Sequence, residues 1–421
     1  MSTHDEVVIT GVGVVSPIGI GVEAFWRSLT EGVSGVDHFP VFDRDEMPVR
    51  IVAAVRDFEP KQYVKPRKSL KIMARDIQLG VSAARLAHEM AGLEESGLAA
   101  ERLGVVFGND MIPLDIEELG SIYTSCMVDG KFDFSRWGEH ALAAMNPLWM
   151  LKFLPNMTAC HITIAHDARG PNNTITLGEV SSLVAMNEAV RVIQRGQADV
   201  MISGGAFSRV HSTYVIRSFN SQQSKRHDDP AAASRPFDAQ RDGLVNGEGA
   251  GAFVLERRDH AEARGATILA RVLGFGNAFE ATVVGEARQG TAIRASIETA
   301  LRQGGLTAAD LGHVNAHGLS TTEDDRLEAQ AIRDLLEDTP VLALKSYFGN
   351  LGSGSGAVEL AASVLSFSEN VTPRTLNYEH PDPECPVNVI HGSAAEGLSP
   401  VALKLSQSPM GQAAALLVAA P

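Results

Sequence analysis

The sequence VVITGVG at residues 7–13 is an apolar, β-branched run that ends in glycines. Such a run predicts a buried strand that enters a glycine-rich turn. Similar short runs recur along the 421 residues and alternate with segments whose apolar residues have helical spacing. This alternation predicts an α/β protein with parallel sheets and helices on both faces.

The spacing predicts further elements on either side of one irregular segment. Residues 111–155 are rich in aromatic residues and methionine, and we expect them to form a cap or an interface excursion. We predict strands at residues 103–107, 199–203, 251–255, 313–316, 341–345 and 413–419. We predict helices at residues 77–90, 181–193, 293–301, 324–336 and 357–367.

Composition and charge exclude several classes of protein. Hydrophobic residues make up 44% and charged residues 21%, as in ordinary globular proteins. The net charge of −15 argues against non-specific nucleic-acid binding, and an acidic partner would need a local basic patch. Three cysteines cannot form a disulfide framework. With no apolar run long enough to span a membrane and a polar start without a signal-peptide pattern, we expect a cytoplasmic protein.

Neither a cofactor nor a metal ion is predicted. The glycines of residues 11–13 lack the third glycine of a dinucleotide fingerprint, and no phosphate-loop lysine follows them. His161 and His166 are five residues apart, which is a poor helical spacing for a metal pair. We therefore expect no bound cofactor and no metal site.

Seven segments keep the order and spacing of one enzyme family. They are VITGVGVVSPIG at 8–19, GVSG at 32–35, SRPFD at 234–238, RDG at 241–243, GEGAG at 247–251, NAHG at 315–318 and KS at 345–346. Together they resemble the β-ketoacyl-acyl-carrier-protein synthases of the ketosynthase II type, which condense acyl units in fatty acid and polyketide synthesis. The resemblance covers nearly the whole chain.

The resemblance implies a thiolase-like fold and a dimer. In this fold two pseudo-symmetric α/β halves stack in five layers, αβαβα. We expect the N-terminal half to span residues 1–258, including the excursion at 111–155, and the C-terminal half to span residues 259–421. The charged residues 257–264 are the best candidate for the seam.

The resemblance also locates the nucleophile position, and this chain departs from the family there. The family has a cysteine at the start of a buried helix, where the helix dipole activates the thiolate. Glu179 stands at that position. Cys160 lies upstream, and we interpret it as a packing thiol. A carboxylate is a poor nucleophile toward a thioester, so acyl transfer through Glu179 should fail.

Two interpretations of Glu179 stay open. As a structural plug, its oxygens would occupy the oxyanion hole, because a helix N-terminus favours an anion. As a general base, it would act on water or on an acyl thioester. We expect the plug more than the base.

The other site residues follow from the same resemblance. His317 matches the family's first catalytic histidine, and Asn350 replaces the second, a pair used by some relatives for decarboxylation. Lys345 and Glu359 match supporting positions. Asp325 and Glu328 on the next helix are expected to be structural. Thr321 matches a threonine near the pantetheine arm.

The C-terminal gate of the family is also altered. Where the family has a glycine-rich loop, this chain has SPMGQAA at residues 408–414. Pro409 restricts the backbone, and Met410 takes the gate position. We expect a permanently set gate.

Three functions remain possible from the sequence. The first is a chain-length-factor-like subunit that pairs with an active ketosynthase, or with itself, and meets an acyl carrier protein. The second is a malonyl-thioester decarboxylase, which repulsion between malonate and Glu179 disfavours. The third is another acyl-thioester reaction that uses Glu179 as base with His317 and Asn350.

Overall fold

The computed structural model describes residues 6–40, 47, 49–114, 116–217, 221–282 and 287–421. Ten strands form the path of the main sheet. In chain order they are β1 (Val7–Ser16), β2 (Leu103–Gly108), β3 (Asn172–Ile175), β4 (Val200–Ser208), β5 (Asn246–Arg257), β6 (Ala270–Phe279), β7 (His313–Asn315), β8 (Val341–Leu342), β9 (Val401–Gln407) and β10 (Gln412–Ala419).

The strand order repeats itself. From the middle of the sheet outward, one half reads β1-β5-β4-β2-β3 and the other reads β6-β10-β9-β7-β8. Each strand of the first half thus corresponds to the strand five numbers later in the second half. The relative directions also match, because β1–β5 and β6–β10 are antiparallel whereas β2–β4 and β7–β9 are parallel. The two pseudo-symmetric halves are therefore confirmed.

The described part of the chain contains eight helices of ten or more residues, of which the third belongs to the excursion at residues 111–155. They are α1 (Val22–Glu31), α2 (Arg75–Met90), α3 (Ile116–Ser125), α4 (Met157–His166), α5 (Ser181–Gln194), α6 (Thr291–Gly304), α7 (Thr322–Leu336) and α8 (Ser355–Glu369). Shorter helices occur at Leu142–Ala144, Ser212–Arg217, Arg258–Ala263 and Lys345–Phe348.

The helices form three layers around the two sheets. Helices α5 and α8 contact each other and strands of both halves, so they form the central layer. Helices α2 and α4 cover the outer face of the first half, and α6 and α7 cover that of the second. Separate apolar clusters fill the central layer and the two outer interfaces. The expected αβαβα arrangement is confirmed.

Two expectations about the sheet were wrong. The sheet is mixed rather than parallel, because β1 and β5 run antiparallel, as do β5 and β4. Gly11 and Gly13 lie inside β1 rather than in a turn. A Cβ atom at Gly13 would lie 2.0 Å from the carbonyl oxygen of Ala83, so these glycines permit close packing of α2 on the strand.

Residues 111–155 leave the layered core. They contain α3, a two-stranded ribbon (Met127–Val128 with Lys131–Phe132) and several short helical turns. Other short strands are Gly19–Ile20, Asp37–His38, Ile51–Ala53, Val371–Thr372 and Ala395–Glu396. The cap or interface role of the excursion and the boundary at residues 258/259 stay predictions. In the described residues, every helix is too short or too polar to cross a membrane.

Candidate functional site

Glu179 lies at the entrance of the central helix α5, as the sequence predicts. Gly178 has a φ of +59°, which turns the chain after β3 into a single 3₁₀ turn, Gly178–Val180, that continues directly into α5. The side chain points into the protein, and only 4% of the residue is exposed. A carboxylate at this depth needs a partner.

That partner is Arg209, which sequence reasoning missed. Arg209 follows β4, and its Nη2 donates to Oε1 of Glu179. Arg209 is itself 7% exposed, and its guanidinium lies 5.1 Å from the centre of the Tyr214 ring. Glu179 is thus neutralised by a buried cation, not by backbone amides as the sequence interpretation supposed. The only available signal was a charged residue directly after a buried strand.

Asn350 is the second partner of Glu179. Its Nδ2 donates to Oε1 of Glu179 across 3.3 Å. The amide orientation is fixed, because Oδ1 accepts from the backbone N–H of Gly352 at 3.0 Å and from the hydroxyl of Ser355 at 3.2 Å. Among the described residues, Arg209 and Asn350 are the hydrogen-bond partners of the carboxylate.

His317 is neutral and has a defined tautomer. Burial lowers the pKa of His317 well below its usual value, and the cations Lys345, Lys404 and Arg209 lower it further. The Nζ of Lys345 lies 3.2 Å from Nδ1 of His317. Since an ammonium can only donate, Nδ1 accepts and Nε2 carries the hydrogen. Nε2 is buried and has no hydrogen-bond partner among the described residues.

Two lysines share one carboxylate beneath His317. Nζ of Lys345 donates to Oε1 of Glu359 at 2.7 Å, and Nζ of Lys404 forms an ion pair with Oε2 at 2.6 Å. The predicted Lys345–Glu359 pair is therefore present in the structure, but Lys404 was missed. Burial lowers the pKa of Lys404 to about 8. All three side chains are inaccessible to solvent, so the cluster forms a rigid floor for the loop that carries His317.

Carboxylates of α7 hold that loop from the other side. Glu328 accepts from the backbone N–H groups of His317 at 2.6 Å and Gly318 at 2.8 Å. Asp325 accepts from the N–H of Ser320 at 3.0 Å, and burial raises the pKa of Asp325 to about 7. These contacts agree with the structural role expected for both residues.

Two supporting residues do not contact Glu179 or His317. Thr321 begins α7, and its hydroxyl donates to Asp324 at 2.6 Å. Met410 lies at the tip of the β9–β10 turn with 76% of its surface exposed. The turn directs this side chain to solvent, and the gate position expected for Met410 stays a prediction. Cys160 lies on α4 in an outer layer.

Two N–H donors of the assembled site have no hydrogen-bond partner among the described residues, namely Nε2 of His317 and Nε of Arg209. His317 Nε2–H is available to an oxyanion or enolate, as an oxyanion-hole donor would be. Glu179 is held between two N–H donors at Oε1. The arrangement can bind a developing negative charge.

Comparison with known proteins agrees with the fold. The sequence model for the beta-ketoacyl synthase N-terminal domain matches residues 4–261, and that for the C-terminal domain matches residues 269–379. The chain belongs to the beta-ketoacyl synthase family. Among its relatives, the 3-oxoacyl-[acyl-carrier-protein] synthase 2 of Vibrio harveyi is 33% identical over 399 residues, which cover 92% of each chain.

Two solved structures of beta-ketoacyl synthase type are similar over the whole chain. The ishigamide ketosynthase/chain length factor superposes with a TM-score of 0.85 at 28% identity, covering 99% of both chains. A type II polyketide ketosynthase in complex with its acyl-carrier protein gives a TM-score of 0.85 at 26% identity, also over 99% of both chains. The similar proteins thus include a 3-oxoacyl-[acyl-carrier-protein] synthase 2 and a protein described as ketosynthase/chain length factor.

Proposed function

We propose that this chain is a non-elongating, chain-length-factor-like subunit that pairs with an active ketosynthase of fatty acid or polyketide synthesis. The observation that carries the proposal is the buried Glu179–Arg209 ion pair. The proposal takes residue 179 to be the family's cysteine position, as the resemblance implies. The pair replaces the nucleophile and also fills the space beside it with a guanidinium. The fold and the His317 loop are nevertheless retained.

In the buried ion pair, each charged side chain has an oppositely charged partner. Removing one partner of a buried pair leaves an unpaired charge, which costs about 3–5 kcal/mol. Arg209 therefore makes Glu179 compatible with the core. The matched pair supports a role in which this position is structural and chemistry belongs to the partner subunit.

Exposed apolar side chains supply a surface for such a partner. They concentrate in the excursion, and Phe134 is 75% exposed. Apolar clusters of this kind on an otherwise charged protein mark interaction sites. The exposed residues are Met111, Leu114, Tyr123, Met127, Val128, Phe132, Phe134, Leu142, Leu148 and Met150.

An exposed basic segment supports contact with a carrier protein. Residues 61–71 carry five exposed cations although the whole chain has a net charge of −15. Local basic patches of this kind attract acidic partners and raise the association rate. The five residues are Lys61, Lys65, Arg67, Lys68 and Lys71.

Co-purification tests the partner proposal. The chain and a cysteine-containing ketosynthase encoded beside it are co-expressed with a tag on one subunit. We expect a 1:1 complex that Phe134→Asp weakens and Phe279→Asp does not, since Phe279 is 63% exposed but lies outside the excursion. A stable homodimer that ignores the ketosynthase would contradict the proposal.

The second candidate function is malonyl-thioester decarboxylation. It is favoured by the unpartnered Nε2–H of His317, which could stabilise the enolate left by loss of CO₂. Arg209 also neutralises Glu179, so the expected repulsion between Glu179 and malonate is largely cancelled. CO₂ release from malonyl-carrier protein that is abolished by His317→Ala would support this function. No release above the uncatalysed rate would exclude it.

The third function receives no comparable support. A general base must lie within hydrogen-bond reach of the proton that it takes. Oε1 of Glu179 accepts from Arg209 and from Asn350, and no hydrogen bond among the described residues directs Oε2 toward a water molecule or a substrate. A thioesterase assay that compares the native chain with Glu179→Gln tests this point, and we expect equal, background rates.

A further inference from the structure

Arg288 joins three segments around the site. It lies between β6 and α6, and its Nη2 donates to Oδ1 of Asp324 in the first turn of α7. Its Nη1 donates to the carbonyl oxygen of Ser408 in the β9–β10 turn at 3.3 Å. We call Arg288, Asp324 and Ser408 the Arg288 bridge.

The segments that the bridge joins lie close to Glu179 and to His317. A Cβ atom at Gly178, the residue before Glu179, would lie 3.8 Å from Cβ of Ser408. On the other side, Asp324 accepts from Thr321, four residues after His317. Arg288 is also close enough to His317 to add to the lowering of its pKa.

The bridge is nearer to solvent than Glu179 and His317. Those two residues are buried, whereas the Arg288 side chain is 17% exposed and Asp324 13%. The partly exposed guanidinium therefore adjoins a buried site. Both of its contacts are charge-assisted, so they are stronger than neutral hydrogen bonds.

A second set of contacts fixes the same turn. The backbone N–H of Glu280 donates to the carbonyl oxygen of Gly411 at 2.9 Å, and the Glu280 carboxylate accepts from Thr291 N–H at 2.7 Å. The β9–β10 turn is thus held from the end of β6 as well as by Arg288. The end of β9 also meets α7 directly, because Nε2 of Gln407 donates to the backbone carbonyl oxygen of Asp324 at 3.2 Å. Arg288 is the contact that reaches the turn itself at Ser408.

We propose that Arg288 is a specificity-determining residue that closes the approach to Glu179 and His317 against the pantetheine arm of a carrier protein. This inference deepens the proposed function and rests on it, because an elongating subunit would need that approach open. The closure here depends on an arginine that ties the turn to α7, and not on Met410.

Thiol labelling tests the closure. In the full-length chain, Glu179→Cys supplies a reporter thiol, and S-acetyl-pantetheine is the probe. Mass spectrometry of the peptide that contains position 179 gives the acylation rate, with the Cys160 peptide as internal control. We expect Arg288→Ala to raise the rate at position 179 about tenfold. Asp324→Asn removes the same ion pair from its other end and should act likewise.

Arg294→Ala is the matched control, because Arg294 pairs with Asp334 across α6 and α7 at 2.6 Å. It should leave the rate unchanged. Equal rates in the parent and in folded Arg288→Ala and Asp324→Asn proteins, whether fast or absent, would overturn the inference. The labelling assay contains no ketosynthase, so its result is independent of the co-purification result. If the chain binds a ketosynthase but Arg288→Ala does not change the labelling rate, only this inference is contradicted. If Arg288→Ala raises the labelling rate but no complex forms, only the partner proposal is contradicted.

Discussion

Arg209 donates to Oε1 of Glu179 in the interior, where the side chains are 9% and 6% exposed. The two residues come from different elements, since Arg209 follows β4 and Glu179 precedes α5. Their charges cancel at a depth where either charge alone would be costly. Each of the two residues is therefore tolerated in the interior because the other is present.

The first prediction concerns stability. Glu179→Leu or Arg209→Met should each lower the free energy of unfolding by about 3 kcal/mol, because each leaves an unpaired buried charge. The double variant Glu179→Leu/Arg209→Met should be less destabilised than the sum, as in a double-mutant cycle. Urea unfolding measures all of these values.

A surface pair serves as control for that cycle. Arg56 and Asp37 form an ion pair at 2.6 Å with both side chains half exposed. Arg56→Ala should change stability by less than about 1 kcal/mol. Strictly additive effects at Glu179 and Arg209 would mean that the two side chains do not act as a pair.

The second prediction is a shifted thiol titration. A thiol introduced by Glu179→Cys would lie beside the Arg209 guanidinium, and a neighbouring cation favours the thiolate. The pH midpoint of its alkylation by iodoacetamide should therefore fall below the ordinary value of about 8.5. Adding Arg209→Met should move the midpoint back up. An identical midpoint in both proteins would show that the Arg209 guanidinium does not lie beside the side chain at position 179.

The third prediction is a loss of stability in acid. His88 and His166 stack across α2 and α4 with ring centres 4.2 Å apart. Burial, with His88 and Arg85 nearby, lowers the pKa of His166 from 6.5 to about 3. As the pH falls below 6.5 the unfolded state therefore binds the proton first, and stability drops by up to about 1.4 kcal/mol per pH unit.

Urea midpoints measured from pH 7 to pH 4.5 test this slope. His166→Gln should flatten it, whereas substitution of the exposed His391 by glutamine should leave it as in the native chain. A native slope in the His166→Gln variant would show that other groups control the acid response.

Much of the site could be placed from the sequence because its residues lie within ordered motifs. Glu179, His317, Lys345 and Asn350 each follow or precede glycines whose spacing fixes the loops. Only some of the residues that form hydrogen bonds or ion pairs with them could be found in this way. Arg209 meets Glu179 through tertiary packing of β4 against α5, which no local pattern records.

Two further differences have local causes. Lys404 is the only charged residue of β9, VALKLSQ at residues 401–407, and such an isolated charge in a buried strand is a usable signal. The side-chain direction of Met410 depends on the turn conformation, in which Gly411 has a φ of +93°. The glycines of β1 suggested a turn because glycine is common in turns. Their actual role, close packing against α2, is a tertiary contact that the local sequence does not show.

The fourth prediction concerns the basic segment. Lys68→Glu should weaken binding of an acyl carrier protein about fivefold, because the patch contributes long-range attraction. Arg302→Glu, an equal charge change at another exposed position, should have little effect. Surface plasmon resonance at two salt concentrations measures both. Equal weakening by the two variants would indicate only a general charge effect.

The most direct test of the central claim is the mass of the intact chain during turnover. The chain, its partner ketosynthase and an acyl-carrier-protein thioester are mixed, quenched and separated. We expect the acyl adduct on the ketosynthase alone, because Glu179 and Arg209 leave this chain without a nucleophile. An acyl adduct on this chain, at Cys160 or at any other residue, would contradict the account.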